Sequence, residues 1–157
     1  MKPKIYLETT VISYFTAKPS RDIITAAHQQ ITQEWWETRR RDFNLYISEL
    51  VEQEASLGDE DAIGRRLIML KGLPALQVSP AAIDLAGMLV KENALPGKAA
   101  GDTIHVAIAT VNAMDYLLTW NMRHLANAAV RNTITAICRA RGYEPPVICT
   151  PEELLEV

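Results

Sequence analysis

Short apolar runs alternate along the chain with longer stretches in which apolar residues recur every three or four positions. The short runs are rich in β-branched and aromatic side chains and are bounded by turn residues, which predicts strands at 4–7, 43–47, 75–78, 116–119 and 146–149. The longer stretches each carry one apolar face, which is typical of amphipathic helices. They predict helices at 21–40, 48–57, 59–71, 80–93, from 102 onward, at 131–141 and, briefly, after 150.

The order of these elements predicts an α/β fold. Strands alternate with helices, and the connections between strands are long enough for crossovers, so we expect parallel strands with helices on both faces. This is a three-layer α/β/α arrangement around a central, mostly parallel five-stranded sheet. Because no linker, repeat or low-complexity tract interrupts the chain, residues 1–157 are predicted to form a single domain.

Polar residues follow the first and fourth predicted strands, at the sheet edge where open α/β folds bind ligands. Glu8 comes directly after the first strand, and Asn121 comes two residues after Thr119. Both also have an ordinary structural explanation, because acids and amides serve as helix caps and turn residues.

Two further acids stand beside apolar helix faces. Glu54 comes three residues after Val51 and three before Leu57, so helical geometry places it on the apolar face of its helix. A carboxylate there is costly unless it is paired or binds a metal, and the structural alternative is a salt bridge to an arginine at the edge of the core. Asp102 precedes the apolar stripe of a later helix, where an N-cap role explains it equally well.

Together these residues are three acids and one amide from four segments of the chain. Oxygen ligands of this kind are the ones that hard divalent cations such as Mg²⁺ prefer. If the fold brings the four segments to one rim of the sheet, the sequence predicts a metal site there.

Composition restricts how such a site would meet its substrate. Among the 157 residues, 16 Lys+Arg against 19 Asp+Glu give a net charge of −3. Binding to nucleic acid through bulk positive charge is therefore disfavoured, and such a role must come from a local site. Two cysteines are too few for a disulfide framework, and no signal peptide or membrane-spanning run is evident, so a cytoplasmic protein with no membrane partner is predicted.

Three blocks of the sequence resemble the PIN-domain family, the ribonuclease fold of VapC-type toxins in toxin–antitoxin pairs. The stretch IYLETTVIS is similar to the family's opening strand and first acid, and YISELVEQEASLG is similar to its second block. The stretch GDTIHVAIATVNAMDYLLTWN is similar to the third block with its helix and fourth strand, and its LLTWN ending resembles a subgroup of these proteins. The blocks occur in the family's order over nearly the whole chain.

The resemblance implies metal-dependent hydrolysis of phosphodiester bonds in RNA. It makes Glu8, Glu54 and Asp102 the expected ligands of Mg²⁺ or Mn²⁺ and adds Asn121 to the catalytic set, where it would orient a water or the metal. No histidine is assigned to this chemistry, and His105 is expected to form hydrogen bonds in the core. The resemblance also implies an antitoxin protein as partner and a homodimer.

Neighbours of the four site residues are expected to support them or to contact RNA. Thr10 and Thr119 would hydrogen-bond the carboxylates that hold the metal. Arg123 and His124 come soon after the fourth strand and are candidate contacts for the substrate. Trp120 stands on the predicted rim and is a candidate for stacking on a base.

Two positions depart from the family pattern. The first acid is most often Asp and is here Glu8, and the fourth position is usually Asp and is here Asn121. Three carboxylates then remain instead of four, which favours a single metal or weak activity. The departures keep a second interpretation open, a catalytically weak PIN-like module that binds RNA or a partner. A receiver-type domain is disfavoured, because the adjacent acids after the first strand and the lysine after the last are absent.

Overall fold

In the computed structural model, which describes residues 1–92, 94 and 100–156, five strands form one sheet. Their bounds are Lys4–Leu7 (β1), Asn44–Ser48 (β2), Ala75–Leu76 (β3), Tyr116–Leu118 (β4) and Val147–Cys149 (β5). The strand order is β3-β2-β1-β4-β5, and each neighbouring pair runs parallel. The five predicted strands are confirmed, with shorter bounds for several of them.

The connections between these strands are mainly helical, and the helices pack in two groups. The helices are Thr9–Thr16 (α1), Ile23–Thr38 (α2), Glu49–Ala55 (α3), Glu60–Leu70 (α4), Pro80–Lys91 (α5), Ala100–Val111 (α6) and Ala128–Ala140 (α7). Helix α1 packs with α2, α3 and α4, whereas α5 packs with α6 and α7. Helices therefore cover the sheet as separate layers, which confirms the predicted α/β/α fold class.

Side-chain caps fix the starts of several helices. Ser48, Asp59 and Ser79 each accept a hydrogen bond from the backbone N–H three residues further on. The Glu153 carboxylate likewise accepts a hydrogen bond from the Thr150 N–H, as in a capping box. The predicted short terminal helix is present as a three-residue 3-10 helix, Glu152–Leu154.

Helix α1 is absent from the sequence-based prediction. It begins Thr-Thr-Val-Ile, and such β-branched residues favour strands over helices. Glu8 starts the helix nevertheless, because its side chain accepts a hydrogen bond from the Thr10 N–H. Packing of Val11 and Ile12, both without exposed surface, then supplies the stability that the residue propensities lack.

Helix α6 begins earlier than the apolar stripe indicates. It starts at Ala100, so Asp102 lies in the first turn and the predicted N-cap role is wrong. Residues 100 and 101, which precede the predicted start at 102, are helical, and residues 95–99 lie outside the described residues. The predicted helix end at 93 also lies outside them.

The register of the sheet brings the ends of three strands together. Tyr6 pairs with Tyr46 on one side of β1, and Leu7 pairs with Leu118 on the other. The Glu8 N–H then donates to the Leu118 carbonyl at 3.0 Å. Because β2 and β3 lie on one side of β1 and β4 and β5 on the other, the strand order reverses at β1. Open α/β sheets bind ligands at this kind of reversal.

Apolar side chains on both faces of the sheet form the core. Ile5, Tyr6 and Leu7 in β1 have no exposed surface, and neither have Leu117 and Leu118 in β4. Continuous hydrophobic runs of this kind are typical of parallel strands that are covered on both faces. Among the described helices, none combines the length and the hydropathy that crossing a bilayer requires.

Candidate metal centre

Glu8 links β1 to α1, and its carboxylate is almost completely enclosed, with the residue 4% exposed. Its Oε1 accepts hydrogen bonds from the hydroxyls of Thr10 at 2.5 Å and Thr119 at 2.6 Å. Its Oε2 accepts one from the Thr10 N–H at 3.1 Å. These three donors offset the cost of burying a charge. Both threonines that were expected to support ligand carboxylates therefore contact Glu8.

The same two hydroxyls hold the loop that follows β4. The Trp120 N–H donates to Thr10 Oγ1 at 2.8 Å, and the Asn121 N–H donates to Thr119 Oγ1 at 2.9 Å. Thr10 and Thr119 thus connect Glu8 to the backbone of the loop that carries Asn121. The position of Asn121 therefore depends on the hydrogen bonds that Thr10 and Thr119 make with Glu8.

Glu54 lies on α3, where it is half-buried and strongly hydrogen-bonded. Its Oε1 accepts a hydrogen bond from the Thr9 hydroxyl at 2.5 Å and lies 2.7 Å from His105 Nε2, which donates because a carboxylate only accepts. Burial raises the pKa of Glu54, but the hydrogen bonds and charge from His105 and Thr9 outweigh it, so the pKa lies below its ordinary value. The arginine salt bridge considered from the sequence is wrong within the described residues, since the partner is His105.

His105 is the residue at this site that the sequence reasoning did not assign to it. Each of three residues offers one atom that could bind a metal, and these three atoms lie within 4.8 Å of one another; the residues are Glu8, Glu54 and His105. The histidine is 1% exposed, and its Nδ1 lies 2.5 Å from the Tyr6 hydroxyl. The expectation that His105 forms hydrogen bonds in the core is confirmed. Its place on the apolar stripe of α6, three residues after Asp102, is the sequence signal for a buried ring, but it does not reveal that the partner is Glu54.

Asp102, in the first turn of α6, is held by Asn121. Asn121 Nδ2 donates to Asp102 Oδ2 at 3.1 Å, and Asn121 Oδ1 accepts a hydrogen bond from the His124 N–H at 3.0 Å. A backbone N–H only donates, and a carboxylate only accepts, so the two partners fix the orientation of the amide. The amide nitrogen therefore faces Asp102, which differs from the expectation that Asn121 offers its oxygen to a metal.

The charge of Asp102 is less well compensated than that of Glu54. Burial raises the pKa of Asp102, and the nearby Glu54 carboxylate adds to this effect. His105, His124 and the hydrogen bond from Asn121 act in the opposite direction but do not cancel it, so the pKa lies above its ordinary value.

The three carboxylates retain oxygen atoms that a cation can use. Within the described residues, no donor contacts Glu54 Oε2 or Asp102 Oδ1, and Glu8 Oε2 accepts only one hydrogen bond. A Cβ built on Gly101 would stand 3.8 Å from Glu54 Oε2, so this oxygen points towards the start of α6. Spare carboxylate oxygens from three separate elements are a donor set that fits a hard divalent cation.

The prediction that Trp120 stacks on a base is wrong. It is 4% exposed, and its ring stacks on His28 with the centroids 4.2 Å apart. Its indole N–H donates to the Thr32 hydroxyl at 2.7 Å. The ring therefore belongs to the core between the β4 loop and α2, with no free face for a base.

Arg123 and His124 lie in the turn that follows Asn121. Arg123 is exposed and His124 is half-buried. The Nδ1 atom of His124 is buried and has no hydrogen-bond partner among the described residues. The His124 N–H donates to the Asn121 side chain that holds Asp102, so the turn that carries His124 lies on the Asp102 side of the site.

Comparison with known proteins supports the fold. No protein-family model matches the chain, and neither does any curated protein. Among solved structures, this protein is similar to one chain in the crystal structure of VapBC2 from Rickettsia felis. That structure contains VapBC2 bound to a DNA fragment from the VapBC2 promoter. The two chains share 14% identity at a TM-score of 0.59, and the match covers 94% of this chain and 98% of the other. At this identity the likeness shows the fold alone, which is PIN-like.

Proposed function

We propose that the chain is a metal-dependent ribonuclease that hydrolyses phosphodiester bonds in RNA. The observation that carries the proposal is the cluster that Glu8 and Glu54 form at the carboxyl edge of a PIN-like sheet, where both keep oxygen atoms available to a cation. Asp102 stands outside that cluster but close enough for the Glu54 charge to raise its pKa. Open α/β folds bind ligands at this edge, and clustered carboxylates there suit a divalent cation.

The three acids would hold Mg²⁺ or Mn²⁺, which when bound polarises a phosphate oxygen and lowers the pKa of an attacking water. Glu8 and Glu54 hold their orientation without a cation, because hydroxyl and N–H donors fix one oxygen of each. Asn121 acts through Asp102, which it orients with its amide nitrogen. Thr10 and Thr119 keep Glu8 in place.

Positive charge for the RNA backbone would come from the turn after β4. Arg123 is exposed there and is available to contact a phosphate. Nδ1 of His124 has no hydrogen-bond partner in the described part of the chain, and its backbone N–H contacts Asn121, which makes His124 the second candidate contact.

We further propose that residues 1–157 form one domain that acts in the cytoplasm as the toxin of a toxin–antitoxin pair, as a homodimer. A component of a VapBC2 complex shares the fold, which supports an antitoxin as partner. A basic antitoxin segment would suit this rim, because it would meet the half-buried carboxylates of Glu54 and Asp102.

The test is cleavage of RNA by the protein purified without an antitoxin. We expect cleavage with Mg²⁺ or Mn²⁺, loss of cleavage with a chelator, and a loss of at least a hundredfold in Glu54→Gln and Asp102→Asn. Glu52→Gln and Asp84→Asn are matched controls, since both residues are exposed and neither lies at the site. Cleavage that needs no metal, or that both site variants retain in full, would refute the proposal.

A second candidate function is an RNA- or partner-binding module with little catalysis. It is favoured by the enclosure of Glu8, which leaves few lone pairs free, and by the amide nitrogen that Asn121 directs at Asp102. Calorimetry with Mn²⁺ separates the two functions. Absence of binding at millimolar Mn²⁺, together with RNA binding without cleavage, would favour the module.

A further inference from the structure

A chain of buried hydrogen bonds ends on Glu54. It begins at the N-cap of α3, where Ser48 Oγ accepts a hydrogen bond from the Val51 N–H at 3.2 Å. The Ser48 hydroxyl lies 2.8 Å from the Tyr6 hydroxyl, which lies 2.5 Å from His105 Nδ1. His105 Nε2 then lies 2.7 Å from Glu54 Oε1. Ser48 and Tyr6 have no exposed surface, so water does not compete along this path.

The donors along the chain all point the same way. An ionised Glu54 only accepts, so Nε2 of His105 carries a hydrogen, and in the neutral ring Nδ1 is then an acceptor. The Tyr6 hydroxyl donates to that Nδ1, and the Ser48 hydroxyl donates to Tyr6. Each hydroxyl and ring hydrogen has one acceptor.

In this arrangement the two carboxylate oxygens of Glu54 have different surroundings. Oε1 receives the His105 and Thr9 donors, whereas Oε2 receives none from the described residues and points towards the start of α6. Both nitrogens of His105 are used within the chain. His105 therefore supports a carboxylate instead of serving as a third ligand beside Glu8 and Glu54.

We infer that His105 is a positioning residue that holds Oε1 of Glu54 through Nε2 and so presents Oε2 to a divalent cation, with Tyr6 and Ser48 fixing the tautomer of the ring. The inference rests on the proposed metal site and adds a residue to it. Partners that orient a metal-binding side chain typically contribute ten- to a hundredfold in metal affinity.

The first test measures Mn²⁺ affinity by calorimetry in the wild type, His105→Leu and His105→Gln. Leucine fills similar space without a donor, and we expect it to weaken binding at least about tenfold. Glutamine carries an amide nitrogen that can reach Glu54, and we expect it to recover most of the affinity. His28→Leu is the matched control, because His28 is a half-buried histidine that stacks on Trp120 away from the acids.

The second test needs neither metal nor a substitution at His105. Nitrogen-15 NMR of the metal-free protein is expected to show His105 with its hydrogen on Nε2, and Tyr6→Phe is expected to shift the ring towards a mixture of tautomers. These measurements decide the inference even if His105→Leu fails to fold.

The outcomes distinguish failure of the proposed metal site from failure of the inference about His105. Wild-type protein that binds no Mn²⁺ overturns the metal site and the inference together. Wild-type protein that binds Mn²⁺ while His105→Leu binds it equally well overturns the inference alone. A hydrogen on Nδ1 of His105 and none on Nε2 in the metal-free protein also overturns it.

Discussion

The two sides of the candidate metal centre are built differently. On one side, Glu8 accepts three hydrogen bonds and Glu54 accepts two. On the other side, Asp102 accepts one among the residues that the structure describes, from Asn121. Burial raises the pKa of both Glu54 and Asp102, but the donors around Glu54 reverse the shift, whereas those around Asp102 do not.

The difference indicates how the fold prepares the site. The Glu54 carboxylate is a stable anion in the metal-free protein, because its donors outweigh the effect of burial, and three donors hold the Glu8 carboxylate in place. Asp102 retains an uncompensated cost of ionisation, which a cation would relieve. The first side therefore gives the site its shape, and the second side gives a cation its largest electrostatic benefit.

The largest effect is expected from removing the Glu8 carboxylate. Glu8→Ala leaves the Thr10 and Thr119 hydroxyls without their acceptor and removes the cap of α1. We expect the free energy of unfolding to fall by about 2 to 4 kcal/mol, measured by urea denaturation. Glu8→Gln keeps an oxygen for the two hydroxyls and should lose less than half as much. An unchanged urea midpoint in Glu8→Ala would show that this side does not stabilise the fold.

The pH dependence of cation binding is the next largest effect. A raised pKa means that a proton competes for Asp102 at a higher pH than for an ordinary aspartate, whereas Glu54, with its lowered pKa, stays ionised. Mn²⁺ affinity should therefore fall as the pH drops through the pKa of Asp102, starting above the usual value of about 3.9, by up to about tenfold per unit. Calorimetry across this range checks it, and a weaker slope is expected in Asp102→Asn. Equal slopes in the two proteins would assign the proton elsewhere.

A smaller effect is expected from giving Asn121 a charge. Asn121→Asp removes the donor to Asp102 and places a second carboxylate beside it, while an oxygen remains for the His124 N–H. We expect the metal-free protein to lose about 1 kcal/mol of unfolding free energy and to bind Mn²⁺ more tightly. Asn121→Ala, which removes the donor without adding charge, is the control. Tighter Mn²⁺ binding in the alanine variant as well would show that charge is not the cause.

The sequence predicted the architecture because strand alternation and capping are local signals. Ser48 and Ser79 cap their helices, and Glu8 stands at the end of β1. The rule that ligands bind at the carboxyl edge of an open sheet selects the rim where Glu8 and the loop carrying Asn121 meet. Asp102 and Asn121 were candidates from their places before a helix and after a strand, and the structure brings them into direct contact.

Features that depend on distant partners were not predictable in this way. Trp120 follows β4, where a residue of the rim is expected. Its indole N–H instead donates to the Thr32 hydroxyl, 88 positions away, and the ring is buried in the core. The role of His105 depends on Tyr6 and Glu54, which come from β1 and α3. No local pattern encodes such pairings, because spacing shows which face of a helix a residue occupies but not what packs against that face.

The smallest predicted effect tests the weaker side of the centre most directly. Asp102→Asn removes the charge but keeps an oxygen that can accept from Asn121 Nδ2. Because the raised pKa of Asp102 is a cost of ionisation in the folded state, that cost is absent below the unfolded pKa and complete above the folded one. The metal-free variant should therefore melt about 1 to 2 °C higher than the wild type at neutral pH. The difference should shrink as the pH falls through the pKa of Asp102, and Mn²⁺ should raise the Tm of the wild type more than that of the variant. Differential scanning calorimetry checks these outcomes, with Asp84→Asn as the exposed control. A variant that melts below the wild type at neutral pH would mean that Asp102 is stabilised as an anion, and the contrast with Glu54 would disappear.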